Sequence, residues 1–283
     1  MRIIYNGELY DEHALILNAN NRSFRYGDAL FETIRFQNGR ALYLEDHFER
    51  LYNGMHLLKM EIPEDFSVDF FNDLFKKIYA ENNLTGAARI RLSVFRNGGG
   101  YYLPLENSVS FIIQSDRLEN ETYQWNENGK VVCIYDGDKK SLSAVSNYKT
   151  ANAMIYVQAA MHAKQHRTDD CLILNQNGNI CDSIHSNVFL VKGAKIITPA
   201  LNEGCVDGIM RKQIIRHAFL NKLSVVFKPI TIADLVSADE MFLTNVIRGI
   251  QWVERLEVKY YTAEFANILF GFLNDDISNL RQE

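Results

Sequence analysis

Two hydrophobic rhythms alternate along the chain. In the first third, apolar runs at Ile3-Ile4-Tyr5 and from Phe31 to Phe36 predict strands. They lead into a helix over roughly 44–58, where Phe48, Leu51, Tyr52, Met55 and Leu58 recur at helical spacing. A second helix over 68–82 aligns Phe71, Leu74, Phe75, Ile78 and Tyr79, and 88–95 and 109–114 then read as strands. Residues 115–124 are polar and charged between two strand patterns, which marks a linker. Beyond it, strand patterns at 131–135, 171–174, 187–191 and 195–198, with turns at Asn177-Gly178 and Lys192-Gly193, predict an antiparallel meander. Helices are expected over 151–163, 209–221 and 263–273, the last capped by Thr262. This pattern predicts an α/β (α+β) protein with a small domain over 1–115, a linker over 116–124 and a larger domain over 125–283.

Composition narrows the class of function. With 283 residues, 47% of them hydrophobic, the chain is long enough to bury a sizeable core. A net charge of −5 argues against a surface that tracks nucleic-acid phosphates. No run of about 18 apolar residues is present, and polar Asn6, Gly7 and Glu8 stand where a signal peptide needs its apolar segment, so a soluble cytoplasmic protein without a membrane partner is expected. Cys133, Cys171, Cys181 and Cys205 show no C-x-x-C spacing and read as reduced structural thiols, with no metal site expected. The run Gly98-Gly99-Gly100 lacks the following helix that a nucleotide fingerprint requires.

Six segments in a fixed order carry the chemistry. The first is Tyr26-Gly27-Asp28-Ala29-Leu30-Phe31-Glu32-Thr33-Ile34-Arg35, and the second His47-Phe48-Glu49-Arg50-Leu51. The third, Asn147-Tyr148-Lys149-Thr150-Ala151-Asn152, puts a lysine ahead of an apolar helix, an odd place for a solvated amine. The fourth runs from Asn179 through Asp182, His185 and Asn187 to Phe189. The fifth, Val206-Asp207-Gly208-Ile209-Met210-Arg211, sets a glycine before a helix start, where backbone N–H groups and the dipole favour an anion. The sixth runs from Asp239 to Val246.

Together these segments resemble the class IV aminotransferases, among them the branched-chain and D-amino acid aminotransferases and the 4-amino-4-deoxychorismate lyases, over nearly the whole chain. The resemblance implies the fold type IV architecture, a small α/β domain and a larger pseudo-barrel domain with pyridoxal 5′-phosphate between them, and a homodimer. It implies that Lys149 links covalently to the cofactor aldehyde and afterwards moves protons. Arg50 and the backbones of Ile209 and Met210 would hold the phosphate, with Asn245 and Val246 closing the cup. Asp182 takes the place of the family's glutamate, the acid that pairs with the ring nitrogen; it has the same charge but is shorter by one methylene. Phe31, Arg35, Arg96 and His185 are candidates for contact with substrate, His185 alternatively being a core histidine. Lys139, Lys140 and Lys164 read as surface residues. Transamination of a small amino acid is the first expectation, because Phe31-Glu32-x-Ile34-Arg35 resembles that branch. The lyase, releasing pyruvate, is the alternative, since Asn245-Val246 and the stretch from Arg96 to Tyr102 resemble that branch. A third reading, prompted by Asp182, is a non-catalytic cofactor-binding protein.

Overall fold

In the computed structural model, which describes residues 1–279, the apolar runs of the first third become one antiparallel sheet. Its strands are β1 (Arg2–Tyr5), β2 (Glu8–Asp11), β3 (Ala29–Gln37), β4 (Arg40–Ala41), β5 (Ala88–Arg96) and β6 (Val109–Arg117), ordered β2-β1-β6-β5-β3-β4. A short helix α1 (Arg22–Tyr26) precedes β3, and α2 (Leu44–Leu57) and α3 (Val68–Glu81) follow β4. Along β5 the side chains alternate, Ala88, Ile90, Leu92 and Val94 being buried, as the period of two in a pleated strand requires. They meet Phe48, Leu51 and Met55 of α2 and Phe71, Phe75 and Ile78 of α3 in one core. The side chain of Ser67 caps α3 by accepting from the Phe70 N–H. The strand β6 continues through Arg117, into the stretch expected to be linker.

This first unit comprises residues 1–122 together with the five residues Tyr148–Asn152. The distant segment is tied to β3 by backbone hydrogen bonds, Phe31 N–H to Lys149 O and Ala151 N–H to Ala29 O, both at 2.9 Å. No hydrophobic period announces that attachment.

The second unit, Tyr123–Asn147 and Ala153 onward, contains β7 (Lys130–Ile134), α4 (Met154–His166), β8 (Asp170–Leu174), β9 (Ile180–Ser183), β10 (Asn187–Lys192) and β11 (Lys195–Thr198). Then come α5 (Ile209–Leu220), β12 (Ser224–Phe227), α6 (Ile232–Ser237), β13 (Glu240–Asn245), β14 (Gly249–Leu256), β15 (Lys259–Tyr260) and α7 (Glu264–Asn279). The sheet order is β12-β11-β10-β13-β14-β7-β8-β9, with β15 on β14. The turns at Asn177-Gly178 and Lys192-Gly193 do form the hairpins β8–β9 and β10–β11. The unit is nevertheless no meander, because β7–β8, β14–β7 and β11–β12 are parallel pairs. Parallel neighbours need a crossover, and α4 and α5 supply it between β7 and β8 and between β11 and β12.

Two helix starts differ from the sequence pattern. The helix expected at 151 begins at Met154, because Tyr148–Asn152 is held in the other unit. The last helix is capped not by Thr262 but by the buried Glu240 of β13, whose two carboxylate oxygens accept from Phe265 N–H at 2.8 Å and Ala266 N–H at 3.0 Å. A carboxylate also suits the positive end of the helix dipole. No helix among the described residues is long and apolar enough to cross a membrane.

Candidate active site

In the first unit the Tyr26-Gly27-Asp28 segment is a corner held by arginines. Gly27 has φ +66, and a Cβ there would meet Asn152 Oδ1 at 2.7 Å, so glycine is required both by backbone conformation and by the approach of the lysine segment. Asp28 pairs with Arg22 Nε at 2.8 Å and Arg96 Nε at 2.9 Å. The Arg96 guanidinium also donates to Asn107 Oδ1 and to the carbonyls of Leu58 and Lys59. Arg96 is thus buried and spent on the protein itself, which differs from the expected loop residue reaching for a substrate. Arg35 is likewise buried, donating to Gln37 Oε1 and Asn120 O, both at 2.7 Å.

Further along β3, Phe31 presents its ring to Lys149, whose Nζ lies 4.7 Å from the ring centroid. The next residue, Glu32, is buried and accepts from Arg50 through both oxygens, Nε to Oε1 at 2.8 Å and Nη2 to Oε2, while His47 Nδ1 lies 2.7 Å from Oε2. Burial alone would raise the Glu32 carboxyl, but the Arg50 guanidinium and His47 override it and hold it at about 2. Burial in turn lowers His47, leaving a neutral ring that donates from Nδ1. The motif spacing therefore builds a buried Glu32–Arg50–His47 triad.

In the second unit Asp182, on β9, is fully enclosed by donors. Its Oδ2 accepts from Lys140 Nζ at 2.7 Å and Tyr156 OH at 3.0 Å, its Oδ1 from Asn187 Nδ2 at 3.2 Å, and both are 3.2 Å from the Val206 N–H. Lys140 is therefore not a surface residue: only 11% of its side chain is exposed, and it also donates to Ser146 O. Burial raises the Asp182 carboxyl above its ordinary range, and the Lys140 ammonium opposes that rise. Tyr156 is pushed well up by burial and by the Asp182 charge, so its phenol remains a donor.

The start of α5 makes a different environment. Gly208 is its N-cap, no side chain caps this end, and a Cβ on Gly208 would fall 1.8 Å from Asn187 Oδ1. Directly opposite Asn187 in the β10–β13 pairing is Thr244. Opposite residues of an antiparallel pair share a face. The Thr244 Oγ1 is buried with no hydrogen-bond partner. An uncapped helix start, a glycine whose Cβ would displace the Asn187 amide and an orphaned hydroxyl fit a phosphate. Next to them, Asn245 Nδ2 donates to Ser186 Oγ, its Oδ1 accepts from the N–H groups of Ile247 and Arg248, and Val246 O accepts from Tyr123 OH. His185 is exposed, which removes the core alternative for it.

The phosphate end therefore fits the cofactor, whereas the acid expected at the ring nitrogen already has donors on both oxygens. Sequence reading missed Lys140, Tyr156 and Thr244. Lys140 is 42 residues from Asp182 and Tyr156 is 26 residues away, so no local spacing signals either contact. Thr244 lies within the sixth segment, and its place opposite Asn187 across a strand pair is what marks it there.

A family profile described as amino-transferase class IV matches residues 29–256. The chain is 27% identical, over 87% of its length and 84% of the relative's, to a putative branched-chain-amino-acid aminotransferase of Methanocaldococcus jannaschii. It is 26% identical to the aminodeoxychorismate lyase of Bacillus subtilis, over 99% of this chain and 96% of that one. Among solved structures, a branched-chain aminotransferase from Thermoproteus uzoniensis superposes with a TM-score of 0.84 at 20% identity, covering 95% of this chain and 92% of that one. A putative 4-amino-4-deoxychorismate lyase from Legionella pneumophila gives 0.83 at 24% identity, covering 94% and 97%. These two likenesses establish a shared fold.

Proposed function

Because this chain belongs to the class IV aminotransferase family, we propose that it is a pyridoxal 5′-phosphate enzyme that transfers the amino group of a small amino acid of the branched-chain or D-amino acid kind. The observation that carries the cofactor assignment is the anion-ready cluster of the uncapped α5 start, Asn187 and the orphaned Thr244 hydroxyl. When bound, the cofactor supplies an aldehyde for amines and a conjugated ring that accepts electrons. The Ile209 and Met210 amides would anchor its phosphate, with Arg50, held in orientation by Glu32, as the guanidinium that would join them. Lys149 would provide the amine that holds the cofactor aldehyde, and the same amine would serve as the base for the proton on the substrate α-carbon. The β3 backbone holds its segment in place, and the Phe31 ring lies 4.7 Å from its amine. Asp182 would be the acid for the ring nitrogen, its charge moderated by Lys140. A soluble cytoplasmic homodimer completes this reading.

A second reading is carried by the near-complete coverage of the Bacillus subtilis lyase and by Asn245-Val246 in the sixth segment. In it the same residues serve an elimination that releases pyruvate from 4-amino-4-deoxychorismate.

Borohydride reduction of the purified enzyme should fix the cofactor to the peptide containing Lys149. A screen of amino donors should then change the cofactor absorbance in single turnover. Pyruvate release from 4-amino-4-deoxychorismate without any response to donors selects the lyase. Label on another lysine defeats both readings, and bound cofactor with no response to either class of substrate leaves a non-catalytic carrier.

A further inference from the structure

The crossover β7–α4–β8 gathers a second set of chemically capable side chains. In the parallel register of β7 and β8, Cys133 lies opposite Cys171, so both thiols project to the same face, into the cluster that also holds Ala159 and Ala163 of α4. Their sulfurs are 3.1 Å apart. His162 of α4 completes a group whose ligand atoms all lie within 4.8 Å of one another. We propose that Cys133, Cys171 and His162 form a binding site for a soft divalent cation of the zinc type.

The surroundings of these residues point the same way. His162 Nδ1 lies 3.2 Å from Asp136 Oδ1, a carboxylate placed to favour a proton on Nδ1 and so a lone pair on Nε2. A histidine held by a carboxylate through its other nitrogen is the usual support of a metal ligand. One turn on, His166 sets Nδ1 3.0 Å from the carbonyl of His162 and stacks on that ring at 4.0 Å. A second imidazole thus stands against the first. The Thr168 hydroxyl donates to Cys133 Sγ at 3.1 Å, orienting that sulfur. On binding, each thiol loses its proton to solvent and two sulfur–metal bonds form, so two thiolates cancel the charge of the dication, and His162 joins as a neutral donor. With metal–sulfur bonds of about 2.3 Å, the two sulfurs need part by less than ~1 Å. Cys171 is fully buried and Cys133 nearly so, which keeps competing water from the sulfur side. No C-x-x-C spacing announces the set, because its members come from two strands and a helix.

The test uses full-length protein, reduced and stripped of metal by a chelator, titrated anaerobically with Co2+ and then Zn2+. One equivalent of Co2+ should give sulfur-to-cobalt charge transfer and the visible bands of a four-coordinate ion, and Zn2+ should displace it. Cys133→Ser and Cys171→Ser should each remove most of the charge transfer. Asp136→Ala, an exposed change that leaves folding intact, should weaken Co2+ by about tenfold, as loss of a carboxylate behind a ligating histidine does. Should the cysteine variants fail to fold, His162→Ala tests the same set from the helix. The proposal is overturned if Co2+ gives no charge transfer, if affinity is unchanged in His162→Ala, or if peptide mapping of the untreated protein recovers Cys133 and Cys171 joined as a disulfide.

Discussion

Glu32 shows how a single side chain serves structure within a motif that resembles a cofactor-binding one. Its carboxylate holds Arg50 and His47 in a buried cluster. Removing one partner strands the other charge away from water, so Glu32→Gln should destabilise the fold by about 3–5 kcal/mol in chemical denaturation. The pH dependence follows from the direction of the shift. The folded carboxyl sits at about 2 against an ordinary 4.5, so between those values the unfolded chain binds the extra proton. The stabilisation is complete above the ordinary value and is lost as pH falls through about 2. Denaturation curves in that acid range should fall less steeply for Glu32→Gln than for the native chain; equal slopes would mean that Glu32 is not held down. Asp182 and Lys140 are the matching pair in the second unit. Lys140→Met should leave a buried acid that takes up a proton, and Asp182→Asn should leave a buried ammonium. The double variant should then be more stable than the sum of single losses predicts, by about 0.5–3 kcal/mol. Additive losses would show the two groups to be uncoupled.

At the scale of elements, the helix starts decide most. The α5 start is fitted to glycine so closely that Gly208→Ala forces Asn187 or the helix to move. Cofactor titration of that variant should show weakened binding, while circular dichroism remains helical; native affinity would remove α5 from the phosphate assignment. Gly271 is the control, lying exposed in α7 where a Cβ meets nothing within 4 Å. Gly271→Ala should stabilise the protein by about 0.5–1 kcal/mol through helix propensity, with cofactor affinity untouched. The cap of α7 by Glu240 also shows why a local cap signal failed at Thr262. An acid on a strand 25 residues away in sequence reaches the amides first, and sequence proximity does not rank the available acceptors.

Across the whole molecule, ligand and fold are linked. A cofactor bound only by the native state raises stability by about 2.7 kcal/mol at one hundred times its dissociation constant. Melting temperature should therefore rise with pyridoxal 5′-phosphate and far less with pyridoxal, which lacks the phosphate that the proposed function assigns to α5 and Thr244. Equal effects of the two would place the affinity in the ring and aldehyde instead.

The sequence by itself determined the principal helices and strands of the first unit and the family. Apolar side chains at periods of 3.6 and 2 must face a core, which is why α2, α3 and β5 were legible residue by residue. The motif order likewise marked Lys149, Asp182 and Gly208, because each sits in a local pattern of a few residues. Only the tertiary structure decided what those residues touch. It put the Lys149 segment on β3 by backbone bonds that carry no side-chain signature, and turned an expected meander into a mixed sheet through two crossover helices. It brought Lys140 and Tyr156 to Asp182, and Cys133 to Cys171 with His162. Such contacts depend on strand register and helix docking, which are set by the packing of the whole unit, and a one-residue change of register would turn Asp182, Cys133 or Cys171 to the opposite face of its sheet.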